Sequence, residues 1–201
     1  YNGFVDAPAV VNGWVVMRDA ANMFFVVVLL VIAFATIIGR QEYQWQKLLP
    51  KLLLMAIFIN FSRTIAGLMI DAAQVVMITF VNGYSAAAEG NFANAFQITQ
   101  LLQLEKGQGG NGISSFEVAS ALILAAIMLV VSIVVILVML LTLVYRIVML
   151  WLLIVTAPMT WFLNTFPQGQ KYYAKWWQEF QNQVIVGPAL AFFLWLSLAS
   201  V

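Results

Sequence analysis

The chain has 201 residues, of which 64% are apolar and only 8% are charged, and its formal net charge at pH 7 is +1. Water-soluble domains contain about 45–50% apolar and about 25% charged residues. Nine basic and eight acidic side chains cannot cover the surface of a soluble fold of this size. The mean hydropathy of +0.96 indicates instead a chain that lies in lipid, and the near-neutral charge gives no sign of nucleic-acid binding.

The chain contains neither cysteine nor histidine. Without cysteine there can be no disulfide, thiolate metal ligand or thiol nucleophile. Without histidine the commonest general base and the commonest metal ligand are missing, and the few carboxylates and lysines form no recognisable catalytic set. We therefore expect no enzymatic activity, no catalytic residue, no metal site and no cofactor.

The first predicted transmembrane helix covers residues 20–39, which contain no charge. Twenty helical residues are about 30 Å long, which is the thickness of the hydrocarbon core. Trp14, before this span, is of the type that lies at the membrane interface. The loop after it, 40–51, holds three basic residues and one acid, so the positive-inside rule places it in the cytoplasm. Pro50 is expected in the first turn of the next helix.

The second predicted span, 52–81, differs from the first because it contains polar and charged residues. Their spacing of three or four puts them on one stripe of a helix, bordered by Arg63; the stripe consists of Asn60, Thr64, Gly67, Asp71 and Gln74. Charge within a span costs at least about 2.5–3.5 kcal/mol, so this face should contact protein or water. It either lines a polar conduit or, as we favour, contacts other helices. Arg63 and Asp71 are too far apart to pair on one helix, so an ion pair would join different helices or subunits.

Residues 82–117 form a long polar region with three acids and one base, and we expect it on the extracytoplasmic side. The apolar run after it continues past Arg146 to Ala157 without Gly, Pro or Asn. We therefore predict one helix over 118–157, about 60 Å long, that projects beyond the bilayer. The alternative is a hairpin at Arg146, which would make 147–166 a fifth span. Arg146 is a further candidate for an inter-helix or conduit residue.

The last predicted span covers 183–201, with Gly187-Pro188 as a tolerated kink. The segment before it, 167–180, holds two lysines, two tyrosines and two tryptophans, which is typical of a cytoplasmic interfacial segment. Four spans put both basic loops in the cytoplasm and the N-terminus outside, whereas a fifth span would put the second loop outside. The sequence therefore predicts an all-α polytopic membrane fold of about four spans, with one very long helix, in a single transmembrane domain over 1–201.

Several tryptophans and a proline lie near the end of the long helix and in the segment after it: Trp151, Pro158, Trp161, Trp176 and Trp177. Together they could form a binding surface. We interpret the tryptophans instead as interfacial anchors and Pro158 as the stop of the helix.

About the last 60 residues resemble the C-terminal half of TrbL-type polytopic inner-membrane subunits of bacterial type IV secretion and conjugation systems. In that family an arginine precedes an apolar stretch with Ala-Pro, then a proline near a short polar loop, Lys-Trp, and a final span with proline. The residues that match in this order are Arg146, Ala157-Pro158, Pro167, Lys175-Trp176 and Pro188. The first half, with GWVVMRDAANMFF and INFSRTIAGLMIDAAQ, resembles membrane proteins of such loci. The extra soluble regions usual in the family are absent from this sequence.

The resemblance implies a non-enzymatic channel or platform subunit of the bacterial inner membrane that takes part in translocating DNA or protein. It also implies that the chain forms a homo-oligomer and assembles with other secretion-system subunits. The partner that composition itself indicates is the lipid bilayer. Two other functions stay open: a stand-alone small-molecule or ion transporter, and a structural membrane scaffold. A transporter should carry an internal repeat with paired broken helices, which we do not find. Because the chain begins at Tyr1 and ends within an apolar run, we expect it to be part of a longer or processed polypeptide.

Overall fold

The structure, a computed structural model, describes residues 5–39, 45–95 and 115–200, and the regular elements in these ranges are all helical. They are α1 (Pro8–Ile38), α2 (Trp45–Ala95), α3 (Ser115–Leu163), a 3₁₀ turn (Pro167–Gly169) and α4 (Gln170–Ala199). Each of the four α-helices is long and apolar enough to cross a membrane. The predicted all-α, polytopic fold is therefore confirmed.

The long third helix is continuous through Arg146. Its 49 residues correspond to about 73 Å of helix, more than twice the hydrocarbon thickness of a bilayer. The prediction of one very long helix is confirmed, and the alternative of a hairpin at Arg146 is wrong. No residue in the run before Pro158 gives the backbone a reason to turn, since Gly, Pro and Asn are all missing from it.

The helices extend beyond the predicted spans. α1 begins at Pro8 rather than residue 20, with Pro8 in the first turn where a missing N–H is harmless. α2 continues to Ala95, so the first part of the predicted loop 82–117 is helical. The remainder of that loop up to residue 114 lies outside the described residues, as do 40–44 of the predicted cytoplasmic loop.

Two prolines that were expected at helix ends lie inside helices. Pro50 is not in the first turn of α2, because the helix has already formed at Trp45. Pro158 does not stop α3, which continues to Leu163. A proline in the sequence therefore did not mark a helix end at either place. Most of the stability of a helix in a protein comes from its packing against other elements, and this packing lets both helices continue through their prolines.

The chain forms two compact units. Unit 1 consists of Tyr1–Gln74 and Arg146–Val186, and unit 2 consists of Val75–Tyr145 and Gly187–Val201. The prediction of a single transmembrane domain stays a prediction.

The core of unit 1 is formed by apolar side chains of all four helices. Aromatic rings join α1 and α2 to the end of α3: Phe25 lies 5.9 Å from Phe162 and Phe58 lies 4.8 Å from Trp161, measured between ring centroids. Gly13 allows α1 to approach α3 closely, because a Cβ there would be 3.1 Å from the Val155 methyl groups. Small residues at helix crossings are a usual feature of membrane proteins.

Unit 2 combines an aromatic helix contact with a helix surface that is apolar on all sides. Phe80 of α2 packs on Phe192 and Trp195 of α4, at centroid distances of 5.3 and 5.9 Å. A Cβ at Gly83 would be 2.9 Å from the Trp195 ring, so only glycine fits this contact. The large apolar side chains of α3 from Leu122 to Tyr145, apart from half-buried Met139, are exposed, as expected for a helix that is hydrophobic all round and faces lipid or protein.

The turn between α3 and α4 gives a direct test of the fold. A Cβ at Gly169 would overlap the carbonyl oxygen of Leu163, so Gly169→Ala should force backbone movement and cost about 3 kcal/mol. We expect the thermal unfolding midpoint in detergent to fall by roughly 6–12 °C. The matched control is Gly67→Ala, where the new Cβ would make ordinary 3.5 Å contacts with Val5; an equal fall in both variants would contradict the turn geometry.

Candidate functional site

Arg146 lies in the second half of α3 and is only 2% exposed. Its Nε donates a hydrogen bond of 2.8 Å to the carbonyl oxygen of Gln183 in α4. Its Nη2 donates a longer one, 3.5 Å, to the carbonyl oxygen of Val184. A buried charge is tolerated only when it is hydrogen-bonded, so this guanidinium depends on the backbone of the facing helix.

One of those two carbonyls, that of Val184, lacks its helical donor because of Pro188 inside α4. Proline has no backbone N–H, so it cannot donate to the carbonyl four residues before it, which is that of Val184. α4 nevertheless continues as one helix from Gln170 to Ala199. Arg146 donates to the Val184 carbonyl and, at a shorter distance, to that of Gln183, and its positive charge makes such bonds stronger than neutral ones.

A carboxylate adjoins this contact on α4. The side chain of Gln183 is buried, and its Nε2 donates to Oε1 of Glu179 at 2.9 Å. Glu179 itself is half-buried. The hydrogen-bonded set therefore contains one cation, one carboxylate, an amide and two backbone carbonyls, which we call the Arg146 cluster.

A second proline, Pro158, is fully buried within α3. Near it, a side chain of α4 donates a hydrogen bond to the backbone of α3. Pro158 leaves the carbonyl of Ile154 without its usual donor. In the same turn, the carbonyl oxygen of Leu153 accepts a 3.2 Å hydrogen bond from the indole Nε1 of buried Trp176 in α4. Each of the two helices thus donates a side-chain hydrogen bond to the backbone of the other, close to a proline.

The tryptophans near these prolines are mostly interior residues. Trp161 and Trp176 are buried, and Trp151 and Trp177 are half-buried against the core of unit 1. Trp176 stacks on Phe180 with 5.5 Å between ring centroids. Packing between helices buries Trp161 and Trp176, so they take part in helix contacts; their position at the membrane interface stays a prediction.

The predicted polar stripe of α2 changes from exposed to buried along the helix. Asn60 and Thr64 are exposed, Asp71 is half-buried and Gln74 is buried. The Nδ2 of Asn60 donates a 2.9 Å hydrogen bond to the carbonyl oxygen of Ala56 in the same helix. The five stripe residues share one side of the helix but not one environment.

Arg63, at the border of the stripe, forms an ion pair with Asp6, which precedes α1. The distance between Arg63 Nη2 and Asp6 Oδ1 is 2.5 Å, and the Asp6 side chain is 55% exposed. The ion pair thus joins two different segments of the chain. The hydrogen bonds of Arg146 lead to α4 instead, so the structure does not bring these two arginines into one polar site.

α1 and α2 also share a buried hydrogen bond between Trp14 and Ser62. The polar stripe did not predict it, because Ser62 is not one of the stripe residues. Trp14 Nε1 donates to Ser62 Oγ at 2.9 Å, and Ser62 Oγ donates to the Ile59 carbonyl oxygen at 2.8 Å. Trp14 was expected at the membrane interface, but its side chain is 7% exposed because it packs between helices. The available signal was Ser62 itself, since a small hydroxyl residue in an apolar run is common at membrane helix contacts.

Comparison with family models, with curated proteins and with solved structures found no match to this chain. Among the residues that the structure describes, no group of three His, Cys, Asp or Glu side chains could hold a metal ion. The fold and the four span-length helices define a multi-pass helical membrane protein. Its candidate site is the Arg146 cluster, whose chemistry is hydrogen bonding between helices.

Arg146→Met should remove the donors and leave the Val184 carbonyl, which has no helical donor because of Pro188, without a partner. A buried acceptor without a partner costs about 1–3 kcal/mol, and we expect that loss in the free energy of unfolding measured in mixed micelles. Arg18→Met is the matched control, because Arg18 pairs with its exposed neighbour Asp19 and such pairs contribute at most about 1 kcal/mol. A larger loss for Arg18→Met than for Arg146→Met would refute the assignment.

Proposed function

We propose that this protein is a non-enzymatic channel or platform subunit of a type IV secretion or conjugation-like machine in a bacterial inner membrane, translocating DNA or protein. The observation that carries the proposal is that residues which match the TrbL-type pattern make or adjoin the hydrogen bonds between α3 and α4. Arg146 and Trp176 donate the hydrogen bonds between α3 and α4, and Pro158 and Pro188 lie beside the carbonyls that accept them. Several residues of the resemblance thus lie at or beside the hydrogen bonds between α3 and α4, which supports reading them as a shared structural feature.

The lengths of two helices support a role in an assembly. α2 has 51 residues and α3 has 49, which correspond to about 76 and 73 Å of helix. The hydrocarbon core of a bilayer is about 30 Å thick. Helices of this length extend beyond the lipid unless they are strongly tilted, and the apolar surface of α3 then requires protein to cover it. Other copies of the chain and other subunits of the machine would provide that cover.

The polar residues of α2 support the same role. Asn60 and Thr64 are exposed, and the Arg63–Asp6 pair is partly exposed, within or next to the apolar segment Leu48–Ser85. Lipid is an unfavourable neighbour for such groups. In the proposed oligomer they face another subunit or a polar conduit, and Asp71 and Gln74 continue the same stripe towards the interior.

The alternative of a stand-alone transporter is less well supported by the Arg146 cluster. In many transporters, interrupted helices leave backbone carbonyls open to bind ions or substrate. Here α4 is continuous through Pro188, and the Val184 carbonyl, which loses its helical donor to that proline, accepts a hydrogen bond from Arg146. A site already filled by an arginine of the same chain favours helix fixation over substrate binding.

The proposal is tested by isolating the tagged chain from its native membranes in mild detergent. We expect a large complex that contains several copies of the chain, an ATPase and extracytoplasmic subunits. Arg63→Gln should lower the yield of this complex before it affects transport by the complexes that remain, because its ion pair with Asp6 fixes structure. Arg18→Gln serves as the matched control, since its partner is the adjacent Asp19. A chain that is monomeric and transports solutes in liposomes would overturn the proposal.

A further inference from the structure

The first three turns of α4 have two chemically different sides. One side carries the aromatic residues Tyr173, Trp176, Trp177 and Phe180, which are buried or half-buried. The other carries exposed polar residues at helical spacing, and we call them the lysine stripe: Lys171, Lys175, Gln178 and Asn182. From Val184 to the end of the chain there is no charged residue. The lysine stripe thus lies where α4 changes from polar to apolar.

The lysine stripe carries positive charge that the described parts of the chain leave without an ion pair. The ion pairs found within those parts join Arg18 to Asp19 and Arg63 to Asp6. No acidic residue occurs between Pro167 and Gln178. The next acid, Glu179, accepts a hydrogen bond from Gln183 and belongs to the Arg146 cluster.

The lysines are presented by a rigid support. Tyr173 packs on Trp161 of α3 and on Trp177, with ring centroids 4.9 and 6.3 Å apart. Trp176 is fixed by its hydrogen bond to Leu153. On the exposed side, the Lys171 ammonium lies 4.9 Å from the centroid of the Tyr172 ring, and Tyr172 is 56% exposed. An exposed tyrosine beside a lysine, next to an apolar segment, is typical of the headgroup region of a membrane.

We infer that the lysine stripe binds the phosphate groups of anionic phospholipids in the leaflet that it faces. Two ammonium groups one turn apart can each contact a phosphate oxygen, and the side-chain amides of Gln178 and Asn182 can donate to headgroup oxygens. The buried aromatic side holds the helix in place, so binding needs no refolding of the chain. This inference rests on the fold of unit 1 and does not depend on the proposed secretion role.

The absence of cysteine allows a local measurement of lipid composition. A fluorophore on Ala174→Cys, which is exposed beside the stripe, is placed in phosphatidylcholine nanodiscs. Quenching is compared between brominated phosphatidylglycerol and brominated phosphatidylcholine at the same mole fraction. We expect phosphatidylglycerol to be preferred by roughly fivefold for each lysine, with a smaller preference at high salt.

Lys171→Gln with Lys175→Gln should abolish the preference, whereas the charge-preserving pair Lys171→Arg with Lys175→Arg should retain it. A fluorophore at exposed Ser197→Cys, in the charge-free end of α4, is the control position and should show no preference that depends on the lysines. Equal quenching by both lipids in the wild-type chain, or a preference that survives the double glutamine substitution, would overturn the inference. Circular dichroism of each variant confirms that its helices are intact.

Discussion

The interaction on which the rest of unit 1 depends is the contact of the Arg146 guanidinium with backbone carbonyls of α4. Arginine in the interior of a membrane protein is expensive, and a proline inside a helix leaves a carbonyl without a donor. Each feature alone would destabilise the protein. Together they offset each other, since the donors of Arg146 reach the oxygens of Gln183 and Val184. The pairing also fixes the register of α3 against α4.

The hydrogen bond from Trp176 to Leu153 adds a second point of attachment between the same two helices. In lipid, helices gain little from hydrophobic burial against one another, so close packing and buried hydrogen bonds determine how they associate. Contacts at two separate levels prevent α3 and α4 from sliding or rotating independently. The Trp14–Ser62 bond and the close approach at Gly13 attach α1 to the same core. These contacts together make the helices of unit 1 one rigid group.

The sequence predicted that there are four long helices and that α3 is continuous, but it did not predict their bounds or the contacts between them. Charge-free runs identify segments suited to lipid, and the absence of Gly, Pro and Asn around Arg146 correctly predicted one continuous α3. Helix bounds were missed because residues 8–19 and 82–95 are helical without being uniformly apolar. Pro158 was misjudged because a helix tolerates proline when neighbouring helices satisfy and bury its surroundings.

Arg146 could be singled out from the sequence as a charge in an apolar run, but its partners could not. They are backbone carbonyls, which every residue possesses, and Pro188 was the one visible sign that one of them, that of Val184, needed a donor. The partner of Arg63 was equally hidden, because Asp6 lies 57 residues away and outside the predicted span. Exposed Asn60 and buried Gln74 show that a shared helix side does not determine burial, which depends on the neighbouring helices.

The most direct test of this account is a double-mutant cycle between Arg146→Met and Pro188→Ala, with the free energy of unfolding as the measured quantity. Pro188→Ala would restore a backbone N–H that donates to the Val184 carbonyl oxygen, so the arginine would have less to satisfy. The account predicts that Arg146→Met costs less in the Pro188→Ala background, with a coupling energy of about 1 kcal/mol or more. Effects that add to within about 0.3–0.5 kcal/mol would contradict it, because the arginine and the proline would then act independently.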